Sequence, residues 1–206
     1  MDEQTGYRIS DWDTPLRANP NRSPGRFNRA NSPATQYVGL HPLTPWAEYL
    51  RYHGLRAEED IIVRQLSIWA IRVDLSTAVE ITFENATDFG IEASDLVSDD
   101  HGTCRSLADR LREDARSPKA IIVPSAALPG TRNLVVFGER VMIPYLWNPL
   151  DEGDIPACIV ASKATPPLDL LPLVRQEGDQ HAELEAWNAG RLYEFADLRD
   201  GSGLDI

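Results

Sequence analysis

The sequence predicts an α+β domain built on a mostly antiparallel sheet, followed by a C-terminal extension. Three observations carry this prediction. Short strand-like runs outnumber helical ones in the first 150 residues. They do not alternate with helices in the regular rhythm that a doubly wound parallel sheet requires. The length of 206 residues, with 42% hydrophobic and 25% charged content, suits one globular unit with a proper core. We therefore place one domain at 1–149 and an extension, linker plus helix, at 150–206.

In chain order, residues 6–10 read as a short strand. Residues 11–33 are rich in Pro, Asn, Asp, Arg and Ser, which is loop chemistry. A loop this long inside a domain is more often functional than incidental. Residues 34–40 form the next strand, centred on Tyr37 and Val38. Thr44-Pro45 opens a helix, Thr44 as the cap and Pro45 at the first helical position, and Gly54 stops it. Alternating apolar positions predict a strand in 61–75, and 78–83 is its expected partner. Residues 95–114 read as a helix, with Leu107 and Leu111 four apart. The apolar run 120–124 is typical of a buried strand. Residues 133–137 and 141–143 are further strands. Residues 164–172 read as a linker or packing arm, and 179–195 as a helix with Leu184, Trp187, Leu192 and Phe195 on one side.

The charge excludes several function classes. With 32 acidic against 20 basic residues the formal net charge is −12. Such a chain repels nucleic-acid phosphates and anionic lipid, so neither is an expected partner, although a local basic pocket for a small anion is compatible with it. Arg8, Arg17, Arg22, Arg26 and Arg29 cluster near the start. Cys104 and Cys158 lie far apart, and the four histidines make no metal-ligand spacing, so no metal site is expected. No signal peptide and no apolar run of about 20 residues is present, and the expected location is the cytoplasm. Neither GxGxxG nor GxxxxGK[ST] occurs, so a dinucleotide would not be held by a Rossmann turn or a P-loop.

Several residues draw attention, each with an ordinary reading beside a functional one. Arg26 is either a solvated loop arginine or a planar fork for phosphate, with Gly25 letting a ligand approach the backbone. Tyr37 is either a strand aromatic or a stacking platform. Glu48 lies one position too late for a capping box with Thr44, and a carboxylate there suits stabilisation of an oxocarbenium ion. Ser125 follows the buried strand outside any GxSxG context and reads as a turn serine or a site residue. Cys104, three residues after His101, reads as an ordinary half-buried cysteine at a helix start. Glu58-Glu59 and Asp99-Asp100 read as solvated faces.

The order of these motifs resembles the RES domain family, named for its recurring arginine, glutamate and serine. The residues carrying the resemblance are Tyr7-Arg8-Ile9, Gly25-Arg26-Phe27-Asn28, Tyr37-Val38-Gly39-Leu40, Trp46-Ala47-Glu48, Val123-Pro124-Ser125-Ala126 and Gly130 through Asn133-Leu134-Val135-Val136-Phe137. They span roughly residues 6–138. Pro24 stands where the family turn commonly carries a second glycine.

The resemblance implies an ADP-ribosyltransferase-like fold, a split and mostly antiparallel sheet that clamps NAD in a cleft. It implies a toxin that breaks the nicotinamide–ribose bond of NAD, as an NAD phosphorylase or glycohydrolase. No cofactor is implied beyond NAD as substrate, with inorganic phosphate as one acceptor and an Xre-type helix-turn-helix antitoxin as partner. By residue, Glu48 stabilises the ribosyl cation or orients the acceptor. Tyr37 stacks on nicotinamide, and Arg8 and Arg26 hold ribose and phosphates. Asn28 belongs to the binding turn, Ser125 bonds the ligand or orients Glu48, and Asn133 supports that wall. A protein ADP-ribosyltransferase and a non-enzymatic nucleotide-binding or interaction module are the alternatives. The extension is read as a packing arm, a homo-oligomer contact or an antitoxin-facing surface.

Overall fold

A computed structural model describes residues 3–9, 22–76, 78–113, 118–138 and 158–195. Among these residues seven strands form one sheet: β1 (Glu3–Ile9), β2 (Thr35–Gly39), β3 (Leu66–Asp74), β4 (Ala78–Glu80), β5 (Ala120–Pro124), β6 (Arg132–Phe137) and β7 (Cys158–Ala164). Their spatial order is β4-β5-β6-β2-β1-β3-β7, antiparallel except for the parallel pair β4/β5. Among the described residues four α-helices accompany the sheet: α1 (Thr44–Tyr52), α2 (Glu58–Ile61), α3 (Gly102–Glu113) and α4 (Ala182–Asn188). The fold is α+β and mostly antiparallel, as the sequence predicts.

The sheet is nearly divided in two. β2 runs against β6 over five register pairs, and β1 against β3 over seven. Between β1 and β2, among the described residues, a single register pair, Tyr7 with Gly39, joins the halves. Gly39 also packs against the first turn of α1, where an added Cβ would stand 2.8 Å from both Pro45 Cδ and Thr44 Cβ. A side chain there would push α1 away from the junction.

Strand alternation sorts the core. Ile121, Val123 and Val135 face a cluster with Phe27, Leu96, Cys104 and Leu107, while Ala120, Leu134 and Val136 join Val38, Trp69, Ile71 and Val73 on the opposite face. A third cluster gathers Trp46 and Leu50 of α1 with Ile61, Ile68, Leu128 and Leu170. Burying side chains of this size contributes roughly 1.5–3 kcal/mol each.

Several elements differ from the sequence expectation. Leu43, not Thr44, caps α1, with no side-chain hydrogen bond, and Thr44 and Pro45 are the first helical residues. Gly54 does end the helix, at φ +62, with its amide on the Arg51 carbonyl at 3.0 Å. The strand expected from 61 begins at Leu66, because 58–61 close a short helix. β4 pairs with β5 rather than with β3. The helix expected over 95–114 begins at Gly102, after a 3-10 turn at Ala93–Leu96, and that expected over 179–195 spans Ala182–Asn188. Leu192, expected on its apolar side, is exposed. The strand expected at 141–143 lies outside the described residues. In the 150–206 extension, β7 pairs with β3, and residues 168–195 pack beside α1 and the end of β5. No helix among the described residues is long and apolar enough to cross a membrane.

Candidate active site

The site starts from a turn. The Gly25 amide donates to the Asn28 carbonyl at 3.0 Å. Asn28 Nδ2 donates to the Ser23 carbonyl at 2.9 Å, and Asn28 Oδ1 accepts from the Tyr37 hydroxyl at 2.9 Å. The same hydroxyl accepts from the Phe27 amide at 2.9 Å. Burial, the largest cause, raises the Tyr37 pKa, so the phenol stays protonated and can donate. Helix α3 holds the turn from behind: Arg105 Nε donates to the Gly25 carbonyl and Arg112 Nη2 to the Phe27 carbonyl, both at 2.8 Å. Only glycine fits at 25, since a Cβ would lie 2.4 Å from Asn28 Oδ1 and 2.9 Å from the Tyr37 hydroxyl.

This turn, β2 and α1 line a cavity of about 610 Å³. That volume falls within the range of small-molecule sites. Arg8, Gly25, Arg26, Asn28, Tyr37, Glu48 and Asn133 all line it. Arg8 reaches across the divergence of β1 and β2 to donate to Gln36 Oε1. Arg26 Nη1 donates to the Ser98 carbonyl at 2.6 Å. Burial lowers the Arg26 pKa, and Cys104 and Glu48 push it back up; an arginine keeps its charge under such opposing influences.

Glu48 is held in the cavity through one of its two oxygens. Its Oε1 accepts from Ser125 Oγ at 2.8 Å and from Asn133 Nδ2 at 2.8 Å. Among the described residues Oε2 accepts no hydrogen bond. One oxygen is thus fixed by the protein and the other is available to a ligand. Ser125 itself is fully buried and does not line the cavity; its hydroxyl also accepts from the Ala127 and Leu128 amides at 3.3 and 3.1 Å. Of its two expected roles, the geometry supports orientation of Glu48. Asn28 likewise spends its side chain on the turn and on Tyr37.

Sequence reasoning missed four residues. Arg51, one turn beyond Glu48, binds Asp99 Oδ1 at 2.6 Å, and Arg175 binds the same oxygen at 3.0 Å. The Gly178 amide donates to Asp99 Oδ2 at 2.8 Å. Burial alone would raise the Asp99 pKa, but the Gly178 amide and the two guanidinium groups outweigh it and hold it at about 2. Asp99 is therefore a paired cavity-wall residue and not part of a solvated face. His101 also lines the cavity, its pKa lowered to about 4 by burial and then by the charges of Arg26, Arg105 and Arg51, so it is neutral at neutral pH. A Ser-Asp-Asp run before a helix looks like capping chemistry, and nothing local announces the distant arginines. Cys104 is fully buried and burial raises its thiol to about 11, which leaves it no thiolate for nucleophilic work.

Together the fold and the site define a protein with an arginine-lined cleft, armed with one positioned carboxylate, in a nearly divided antiparallel sheet. The sequence model of the RES domain matches residues 5–147, and the chain belongs to the RES domain family. It is 32% identical over 121 residues to a Mycobacterium tuberculosis protein named probable NAD(+) phosphorylase, covering 58% of this chain and 56% of that relative's length. The match therefore spans little more than half of that relative. The fold is also similar to that in the crystal structure of the M. tuberculosis MbcT-MbcA toxin-antitoxin complex, with a TM-score of 0.59, 19% identity, and coverage of 82% of this chain and 87% of the other.

Proposed function

We propose that this protein is a toxin that cleaves the nicotinamide–ribose bond of NAD and passes ADP-ribose to inorganic phosphate or water. The observation that carries this reading is Glu48, with one oxygen fixed by Ser125 and Asn133 and the other unengaged, inside a cavity also lined by Arg8, Arg26 and Tyr37. As the C–N bond breaks, nicotinamide leaves with the electron pair and the ribose carbon gains positive charge. A fixed carboxylate stabilises that charge more in the transition state than in the ground state. The arginines suit the pyrophosphate, and the Tyr37 ring suits a planar leaving group. The acceptor oxygen then bonds to the same carbon and loses its proton if water is the nucleophile.

The relative named as an NAD(+) phosphorylase favours phosphate as acceptor, and the complexed structural relative favours an antitoxin partner, which we take to be of the Xre type. The reading places the reaction in the cytoplasm, with NAD as substrate and no further cofactor, catalysed by residues of the 1–149 region. The test is to incubate the purified protein with NAD, with and without phosphate, and follow nicotinamide. Release that depends on phosphate supports phosphorolysis, and release without it supports hydrolysis. Folded protein that releases none under either condition overturns the reading.

A further inference from the structure

Residues beyond the family match reach back to the residue that holds Glu48. His181 precedes α4, is 4% exposed, and lies edge-on to the Phe83 ring at 5.9 Å. Its Nδ1 accepts from the Leu184 amide at 3.2 Å, so that nitrogen carries no proton. In the neutral imidazole the proton is then on Nε2, which lies 2.9 Å from the Ser125 carbonyl and donates to it. Both nitrogens are engaged, one in capping α4 and one in holding Ser125. Two neighbouring contacts fix the same segment: the Arg175 amide donates to the Ala127 carbonyl at 2.8 Å, and Glu183 Oε2 accepts from the Gly130 amide at 2.8 Å.

We propose that His181 is a positioning residue for Glu48, acting through the Ser125 carbonyl to fix the seat from which the Ser125 hydroxyl holds the carboxylate. The inference rests on reading Glu48 as the catalytic group. The path is short: imidazole Nε2 to the Ser125 carbonyl, then Ser125 Oγ to Glu48 Oε1 at 2.8 Å. Ser125 is fully buried, so a carbonyl deprived of its donor has no water to replace it. The backbone then shifts to find a partner, and the hydroxyl shifts with it. A catalytic group displaced by a fraction of an ångström loses rate more than affinity.

The two functions of the ring can be separated by substitution. Asn at 181 retains a good N-cap acceptor but lacks a donor at the reach of Nε2. Gln supplies an amide donor at that reach and gives up the cap. The experiment compares His181→Asn and His181→Gln by nicotinamide release from NAD and by amide hydrogen exchange. His181→Asn is expected to lower kcat by about tenfold to a hundredfold with KM within about twofold. In that variant the Ala127 and Leu128 amides, which donate to Ser125 Oγ, exchange about tenfold faster while Leu184 stays protected. His181→Gln is expected to restore most of the lost kcat and the Ala127 and Leu128 protection, and to lose protection at Leu184.

Wild-type kcat together with wild-type exchange at Ala127 and Leu128 in His181→Asn overturns the proposal. Equal loss of kcat in both variants also overturns it, because that reports general loosening. A wild-type protein that releases no nicotinamide refutes the reading of Glu48 instead. The exchange pattern still decides whether His181 seats Ser125.

Discussion

The Ser125 hydroxyl donates to Glu48 Oε1 at 2.8 Å across 77 residues of sequence. With Asn133 on the same oxygen, the carboxylate is held from β6 and from the turn after β5 while its helix is fixed separately by Trp46 and Leu50. Ser125→Ala removes this donor and leaves two buried amides, of Ala127 and Leu128, without their acceptor. Each unsatisfied buried group costs roughly 1–3 kcal/mol. We expect a fall in urea midpoint together with a fall in kcat; a variant as stable and as active as the wild type would contradict this role.

Glu48→Gln separates charge from shape. The amide oxygen can still accept from Ser125 and Asn133, so the fold and the cavity persist. On the proposed mechanism, what disappears is the negative charge beside the developing ribosyl cation. Nicotinamide release is expected to slow by about a hundredfold to a thousandfold. NAD affinity, measured by calorimetry, should stay within about threefold, because the charge acts mainly in the transition state. Loss of affinity equal to the loss of rate would make Glu48 a binding residue instead.

At Gly25 a single methyl group is the test. Its carbon would overlap Asn28 Oδ1 at 2.4 Å and crowd the Tyr37 hydroxyl at 2.9 Å. Gly25→Ala therefore opens the turn that presents Arg26 and Tyr37. Overpacking of this kind costs about 1–3 kcal/mol. A lower denaturant midpoint and a raised KM for NAD are expected, and an unchanged KM would show that the turn does not touch the substrate.

Acid acts in two separate windows. Asp99 is held at about 2, below its ordinary 3.8, so its contribution to stability is complete above that ordinary value and is lost as pH falls toward 2. His101 is held at about 4, below its ordinary 6.5, chiefly by burial. Between those values the unfolded chain binds a proton that the folded chain refuses, so stability falls as pH drops from 6.5 toward 4. Burial lowers the pKa of His181 too, with the same sign. Melting temperatures measured from pH 7 to pH 4 should decline, and His101→Gln should flatten that decline. An unaltered slope would remove His101 as a cause.

Much of this structure is legible in the residues themselves. The apolar run of β5 coincides with Ala120–Pro124, and Gly54 marks the end of α1. Those signals are local, arising from burial on both faces and from a left-handed cap. What was not legible depends on distant partners. β4 is a strand of three residues whose mate, β5, lies some forty residues on, and periodicity carries no information about which strand it joins. Asp99 resembles any surface aspartate until Arg51 and Arg175 arrive from opposite directions. His181 shows neither a motif nor a partner in the sequence, since its role depends on a backbone carbonyl. For the candidate site, Arg8, Arg26, Tyr37, Glu48 and Asn133 could be named in advance because they recur in an ordered pattern, whereas the charges behind them could not.

The Tyr7–Gly39 junction between the two groups of strands has a consequence for assembly. On one side of it stand β1, β3 and β7; on the other stand β2, β4, β5 and β6. Neither group is a contiguous stretch, because the chain crosses the junction repeatedly. A growing polypeptide must be extended to Ala164 before β7 can cover the edge of β3, long after Glu48 and Tyr37 have been made. Pairing over such separations is slow. The cleft draws Arg8 and Ile9 from one half and Tyr37 and Asn133 from the other, so neither half of the sheet carries these walls by itself. This interleaving delays assembly of the cleft until β6, with Asn133 and Val135, has been synthesised.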